Sequence, residues 1–219
     1  MAYTEENIQA LIKYMKEIEN RKEHTYAAAT YKDIPELQEL DRIVMSQLAL
    51  ENPRDQHTLA DSIFVVRYLA KEYETMWRVA LAVKYYNLLL QLQRELYDRF
   101  DESDEECRDD YYSAIRARNY YQKDSCTDLT ELVKGMLPDS VCQDIEKQVL
   151  VDWKPLKHDP VELTEQYLAV IDEVERRMDT EEVKKMHHFY RSELLQKLLH
   201  EHGIEWKSMI ELNPNMHFD

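Results

Sequence analysis

Hydrophobic positions recur along this chain at spacings of three and four, the period of an α-helix, and nowhere more densely than from Trp77 to Phe100. Between Val79 and Leu92 the only polar residues are Lys84, Asn87 and Gln91. At helical spacing those three share one narrow stripe. Every other direction presents Ala, Val, Leu or Tyr and requires cover from neighbours. The pattern predicts a central helix ~36 Å long at ~1.5 Å per residue, with Trp77 and Leu88 among its packed side chains.

The remaining elements follow from the same period and from cap signals. A first helix is predicted from about Thr4 to Ala27, with Ile8, Leu11, Ile12, Met15 and Ile18 on one face. A second starts at Asp33, where Asp33 and Glu36 have capping-box spacing, and is closed by Asn52 and Pro53. The third starts near Thr58, with Asp61 as its capping acid, and stacks Leu59, Ile63, Val66, Ala70, Tyr73 and Trp77. No Gly or Pro separates it from the central helix, but helix lengths favour a tight turn near Thr75 to Trp77 over one very long helix. After Phe100, Ser103 and Glu106 mark a start for a helix holding Tyr111, Ala114 and Ile115 and ending near Tyr121. Two shorter helices follow, one from Thr127 to a stop at Gly135 and Pro138, one from about Asp139 to Trp153. WKPLKHDP, with Pro155 and Pro160, reads as a linker. A regular hairpin comes last, its Leu163, Tyr167, Ile171, Val174 and Met178 facing Val183, Met186, Tyr190, Leu194 and Leu198 across a turn at Asp179 and Thr180. Gly203 and Ile204 have the spacing of a Schellman stop onto Leu199. Trp206, Ile210, Met216 and Phe218 are numerous enough in the tail to predict docking rather than fraying.

Composition narrows the class. Two glycines in 219 residues starve a β-protein of its turns, so the fold is expected to be all-α. Roughly nine helices are expected, as antiparallel hairpins stacked in an array or an irregular bundle. A single domain over 1–219 is expected, divisible into blocks at 1–53, 54–154 and 155–219. A formal net charge of −16 repels nucleic acid and anionic membrane surfaces. The N-terminal residues show no basic region leading into an apolar run, and no stretch approaches the ~20 apolar residues that span a bilayer, so the expectation is a cytoplasmic protein. Cys107, Cys126 and Cys142 are odd in number, without CxxC spacing, and are expected to be free thiols.

Within RYLAKEYETMWRVALAVKYYNLLLQL, the order of Leu69, Ala70, Tyr73, Ala82, Tyr86 and Leu89 resembles a tetratricopeptide repeat. Leu69, Tyr73, Ala82 and Tyr86 match. Val66 stands where the family has Trp, Ala70 where it has Gly, Leu89 where it has Ala, and Arg94 where it has Pro. The resemblance covers one hairpin, around residues 63–94, and implies a turn near Glu74 to Trp77. It also implies that Phe64, Arg67, Lys71 and Glu74 face the surface that this family uses for ligands.

No catalytic motif is present: GxSxG, Walker A, GxGxxG and HExxH are all missing from the sequence. His187, His188, His200 and His202 are spaced too far apart or point apart, and are read as surface histidines. In the acidic run from Asp101 to Asp110, Glu106 replaces the Gly of a calcium loop and Tyr112 its bidentate Glu. The reading is therefore of a non-enzyme without metal or cofactor. It is a helical scaffold for a protein or peptide partner, with Phe64, Arg67, Lys71 and Glu74 as the binding residues and the Arg67 and Lys71 pair holding a ligand carboxylate. Paired tyrosines such as Tyr85 and Tyr86 suit such a surface. The alternative is a closed bundle with a small-ligand or enzymatic pocket lined by Tyr and His. A homodimer is compatible with both.

Overall fold

The computed structural model describes residues 3–25, 31–50, 54–121, 127–152 and 156–216. Its helices are α1 (Glu5–Thr25), α2 (Ile34–Leu50), α3 (Gln56–Thr75), α4 (Val79–Phe100), α5 (Cys107–Asn119), α6 (Thr127–Val133), α7 (Asp139–Asp152), α8 (Glu165–Met178), α9 (Glu181–Lys184), α10 (His188–Glu201) and α11 (Met209–Leu212). Short 3-10 turns occupy Tyr31–Asp33 and Pro160–Leu163. The described residues contain no strand, and the protein is all-α. Among them, no helix is long and apolar enough to cross a membrane. Where the sequence suggested one domain with three blocks, the contacts divide the chain into two compact units. One comprises Met1–Ala117 with Ser125–Asp152, the other Arg118–Asp124 with Trp153–Asp219.

In the first unit α1, α2, α3 and α4 pack as successive neighbours. The α3/α4 hairpin is the heart of it. Leu59, Ile63, Val66, Leu69 and Tyr73 are buried on α3, and Ala82, Val83, Tyr86, Leu89 and Leu90 on α4. The Tyr73 and Tyr85 rings stack with centroids 5.3 Å apart. Helix α4 is thus central, as its composition predicts, but two side chains differ from expectation. Leu88 is half-buried, and Trp77 is 62% exposed. For Trp77 the reason lies in the turn. Trp77 N–H donates to the Glu74 carbonyl and Arg78 N–H to the Tyr73 carbonyl, the two bonds of a Schellman motif, with Trp77 at φ 61 in the left-handed position that glycine usually fills. A side chain held there points off the end of α3 and away from the core. The start of α3 also differs: Asp55, not Thr58, is its N-cap, accepting from Thr58 N–H at 2.8 Å. At α2, Asp33 and Glu36 both receive the Arg21 guanidinium, at 2.5 and 2.8 Å. Asn52 and Pro53 lie outside the described residues.

Three side-chain bonds tie α1, with the residues just before it, to α3. Tyr3 bonds Ser62 at 3.0 Å, Glu19 accepts from Tyr68 at 3.0 Å, and Lys22 meets Glu72 at 2.5 Å. Residue number rises together in both partners, so α1 and α3 lie side by side and run in the same direction.

The second unit has its own core. Tyr167, Ile171 and Val174 of α8 pack with Leu198 and Leu199 of α10 and with Ile204. Gly203 stops α10 as predicted: at φ 75, its N–H donates to the His200 carbonyl, and Ile204 N–H to that of Leu199. The hairpin's second arm is broken rather than continuous. Thr180 caps α9 by accepting from Val183 N–H at 3.2 Å, and His187 caps α10 by accepting from Phe189 N–H at 3.5 Å. Met186 and Tyr190 are consequently exposed, at 41% and 64%, instead of facing α8. In the tail a capping box of Ser208 and Glu211 starts α11. Trp206 docks, its indole N–H donating to Glu162 Oε1 at 2.7 Å. The other oxygen of this buried carboxylate accepts from Tyr121 at 2.8 Å and meets His158 Nδ1 at 3.0 Å. Ile210 is half-buried, Met216 is 53% exposed rather than docked, and Phe218 lies outside the described residues.

Candidate binding groove

The four residues singled out on α3 divide: Arg67 and Lys71 share the Glu106 carboxylate, at 3.6 and 3.1 Å, Glu74 pairs elsewhere, and Phe64 faces solvent. Arg67, expected on the ligand-facing surface, is 8% exposed and turned inward. Its Nε and Nη2 donate to Asp110 Oδ2 at 2.9 and 2.7 Å, and Nη2 also reaches Asp104 Oδ1 at 2.6 Å. Gln93 completes the cluster by donating to Asp110 Oδ2 at 2.8 Å. Burial works against the guanidinium's charge, but the hydrogen bonds and attraction of Asp110 and Asp104 outweigh it and raise its pKa. This cation is held by the fold. Lys71 sits outside, 3.1 Å from Glu106, and Glu74 accepts from Tyr86 at 2.8 Å and from Arg116 Nε at 3.0 Å. Sequence reasoning missed this because Asp110 lies 43 residues beyond Arg67, out of reach of any local pattern. The acidic run that supplies Asp104 and Asp110 was the one available signal.

Phe64 is different. It is 60% exposed and stands on the wall of a groove of about 190 Å³ between α1 and α3, lined by Tyr3, Ile8, Leu11, Ile12, Met15, Asp61, Phe64 and Val65. Tyr3, Leu11 and Val65 form a buried floor, while Ile8 and Ile12 rise as walls at 36% and 42% exposure. The apolar face predicted for α1 explains the arrangement. Leu11 and Ile18 are covered by the body of the protein. Ile8 and Ile12, on one edge of that face, extend beyond what α3 covers. The width of that stripe was the signal for a groove.

One charge faces this apolar lining. Asp61 is exposed, and among the described residues it has no hydrogen-bond or ion-pair partner. Its carboxylate lies close enough to Tyr3 to act on it: burial pushes the Tyr3 phenol up to about 12, against the Ser62 hydrogen bond, and the Asp61 charge adds to the rise. The Tyr3 and Ser62 pair marks one end of the groove, and the Glu19, Tyr68, Lys22 and Glu72 cluster lies beyond the other.

His187 and His188 lie with ring centroids 4.0 Å apart. Among the described residues no group of three or more His, Cys, Asp or Glu is placed to hold a metal ion. Cys107 and Cys142 are buried free thiols, and Cys126 lies outside the described residues. Compared with known proteins, the chain matches no family model, no curated protein and no solved structure.

Proposed function

We propose that this chain is a helical scaffold that binds a protein partner, and that the groove between α1 and α3 is the binding surface. The observation that carries this reading is the exposure of Ile8, Ile12 and Phe64 side by side over a buried apolar floor. An apolar surface left open in a chain that is 33% charged costs free energy until something covers it. The open and apolar lining suits a protein side-chain surface better than the enclosed, polar pocket required by a small-ligand or enzymatic reading. The tetratricopeptide resemblance leans the same way. The ligand-binding role first considered for Arg67, Lys71 and Glu74 passes to the groove, with Phe64 retained.

The test is a comparison of variants. The partner that co-purifies with the wild-type chain should lose at least about tenfold in affinity on Phe64→Asp or Ile12→Asp, as truncation of a buried anchor does. Met45→Asp, at an exposed apolar position on α2 away from the groove, should leave it unchanged. Equal binding by all three variants would place the interaction elsewhere.

A further inference from the structure

The groove's geometry and its single carboxylate identify what kind of partner fits. Ile8, Ile12 and Met15 stand along α1 at i, i+4 and i+7, a line ~10 Å long at ~1.5 Å per residue. That is two helical turns. The space of about 190 Å³ exceeds the ~150 Å³ that accommodates a benzene ring, so it takes one large apolar side chain and part of a second. Both walls are helices whose backbone groups are satisfied within themselves, and the groove has no sheet edge to pair with. An extended peptide laid there finds no strand to pair with, whereas a helix brings its backbone groups already bonded.

Charge decides the rest. Asp61 lies on the rim without a partner among the described residues, and any occupant that covers it must replace the water it loses. A lysine or arginine does so with a charge-assisted hydrogen bond. Glu5 and Glu6, exposed in the first turn of α1, add negative potential towards the Ile8 end. The net charge of −16 steers basic partners in, repels acidic ones and opposes a second copy of the same chain.

We infer that the groove receives an amphipathic helix of a partner protein, its apolar anchors seated between Ile8, Ile12 and Phe64 and a lysine or arginine of its flank set against Asp61. The inference rests on the groove reading above and names its ligand class.

Two fluorescent peptides of about 15 residues test it with the full chain. Both carry leucines at i, i+4 and i+7 on an alanine-rich helix, one with lysines on the flanks and the other with glutamates at the same positions. The lysine peptide should bind and the glutamate peptide should bind at least about tenfold more weakly, with a gap that narrows at high salt. Asp61→Lys, an exposed change whose effect on helicity is checked by circular dichroism, should weaken the lysine peptide about tenfold and narrow or reverse the preference. Equal binding of both peptides, binding of neither, or a preference untouched by Asp61→Lys overturns the inference. So does a self-associating chain whose dimer is dispersed by Ile12→Asp, since the occupant is then a second copy. The two readings fail separately: a natural partner lost on Phe64→Asp but kept by Asp61→Lys leaves the groove standing without its basic ligand, and one kept by Phe64→Asp removes the groove itself.

Discussion

Replacing Arg67 with Met removes a guanidinium that is 8% exposed and leaves Asp110, 1% exposed, with only the Gln93 amide from the cluster's named donors. A buried carboxylate stripped of its cation is the costly half of such a pair. The expected loss is about 3 to 5 kcal/mol, against a total stability on the order of 5 to 15 kcal/mol. For a chain of this size that lowers the thermal midpoint by roughly 6 to 20 °C. Lys71 is one turn away and pairs with Glu106, but both are more than half exposed. Lys71→Met should therefore cost under ~0.5 kcal/mol. Urea unfolding followed by circular dichroism measures both, and hydrogen exchange along α3 and α4 localises the loss to the unit that holds the cluster. The double variant Arg67→Met/Asp110→Leu should recover most of the loss, because it removes the orphaned charge together with its partner. A single variant within about 1 kcal/mol of wild type, or a double variant no better than the single, would refute the assignment of Arg67 to the fold. The same reasoning makes charge reversal at Arg67 unusable as a test of binding.

Two further outcomes are expected. Asp55 caps α3, and the hydrogen bond from Thr58 N–H holds its carboxyl below the ordinary range. Its folded pKa is thus lower than the unfolded value near 3.9, so the cap's stabilisation is complete above that value and is lost as pH falls through the folded one. Asp55→Ala should cost about 1 kcal/mol at neutral pH, with the gap to wild type closing in acid; a gap that does not narrow at all as pH falls well below the unfolded value contradicts the capping role. Burial, aided by the charges of Asp110 and Asp104, pushes the Cys107 thiol up to about 12. Alkylation of the native chain at pH ~8 should leave Cys107 unmodified, and urea should expose it, as peptide mass spectrometry reads directly. Labelling at the rate of an unfolded peptide would show that the site is open.

The helices and their buried faces were legible because each is written locally, as a repeat of three and four. Leu59, Ile63, Val66 and Tyr73 could be assigned to the core from spacing alone. The stop at Gly203 was legible for the same reason, since glycine declares the left-handed position it occupies. The equivalent position after α3 is held by Trp77, a residue whose size argues for the core and whose backbone places it outside. Size misled there because the conformation that decides exposure, φ 61, leaves no mark in a non-glycine residue. The break between α9 and α10 was hidden in the same way, with His187 standing in for the Ser or Asp that usually announces a cap. The candidate site was legible only in Phe64. Whether a charge on α3 meets water or another charge depends on where residues 104 to 110 return, which is a property of the fold.

Arg67 and Phe64, almost one helical turn apart on α3, reverse the usual distribution of polarity. The arginine is inside, neutralised by acids that follow α4 and begin α5; the phenylalanine is outside, facing Ile8 and Ile12 across an open groove. The first half of this inversion has a structural cause. Asp104 and Asp110 tie the loop after α4, and the start of the helix beyond it, to the middle of α3, so the cluster fixes where α5 begins. The second half has none of that kind. No element of the described chain covers Phe64, and a polar residue at position 64 would serve the fold at least as well, because a side chain 60% exposed contributes little to the core. An exposed aromatic beside two exposed isoleucines is a feature that stability alone does not require, and departures from local consistency concentrate where a surface has work outside the fold. The cation that looked functional is thereby assigned to folding, and the apolar wall to binding.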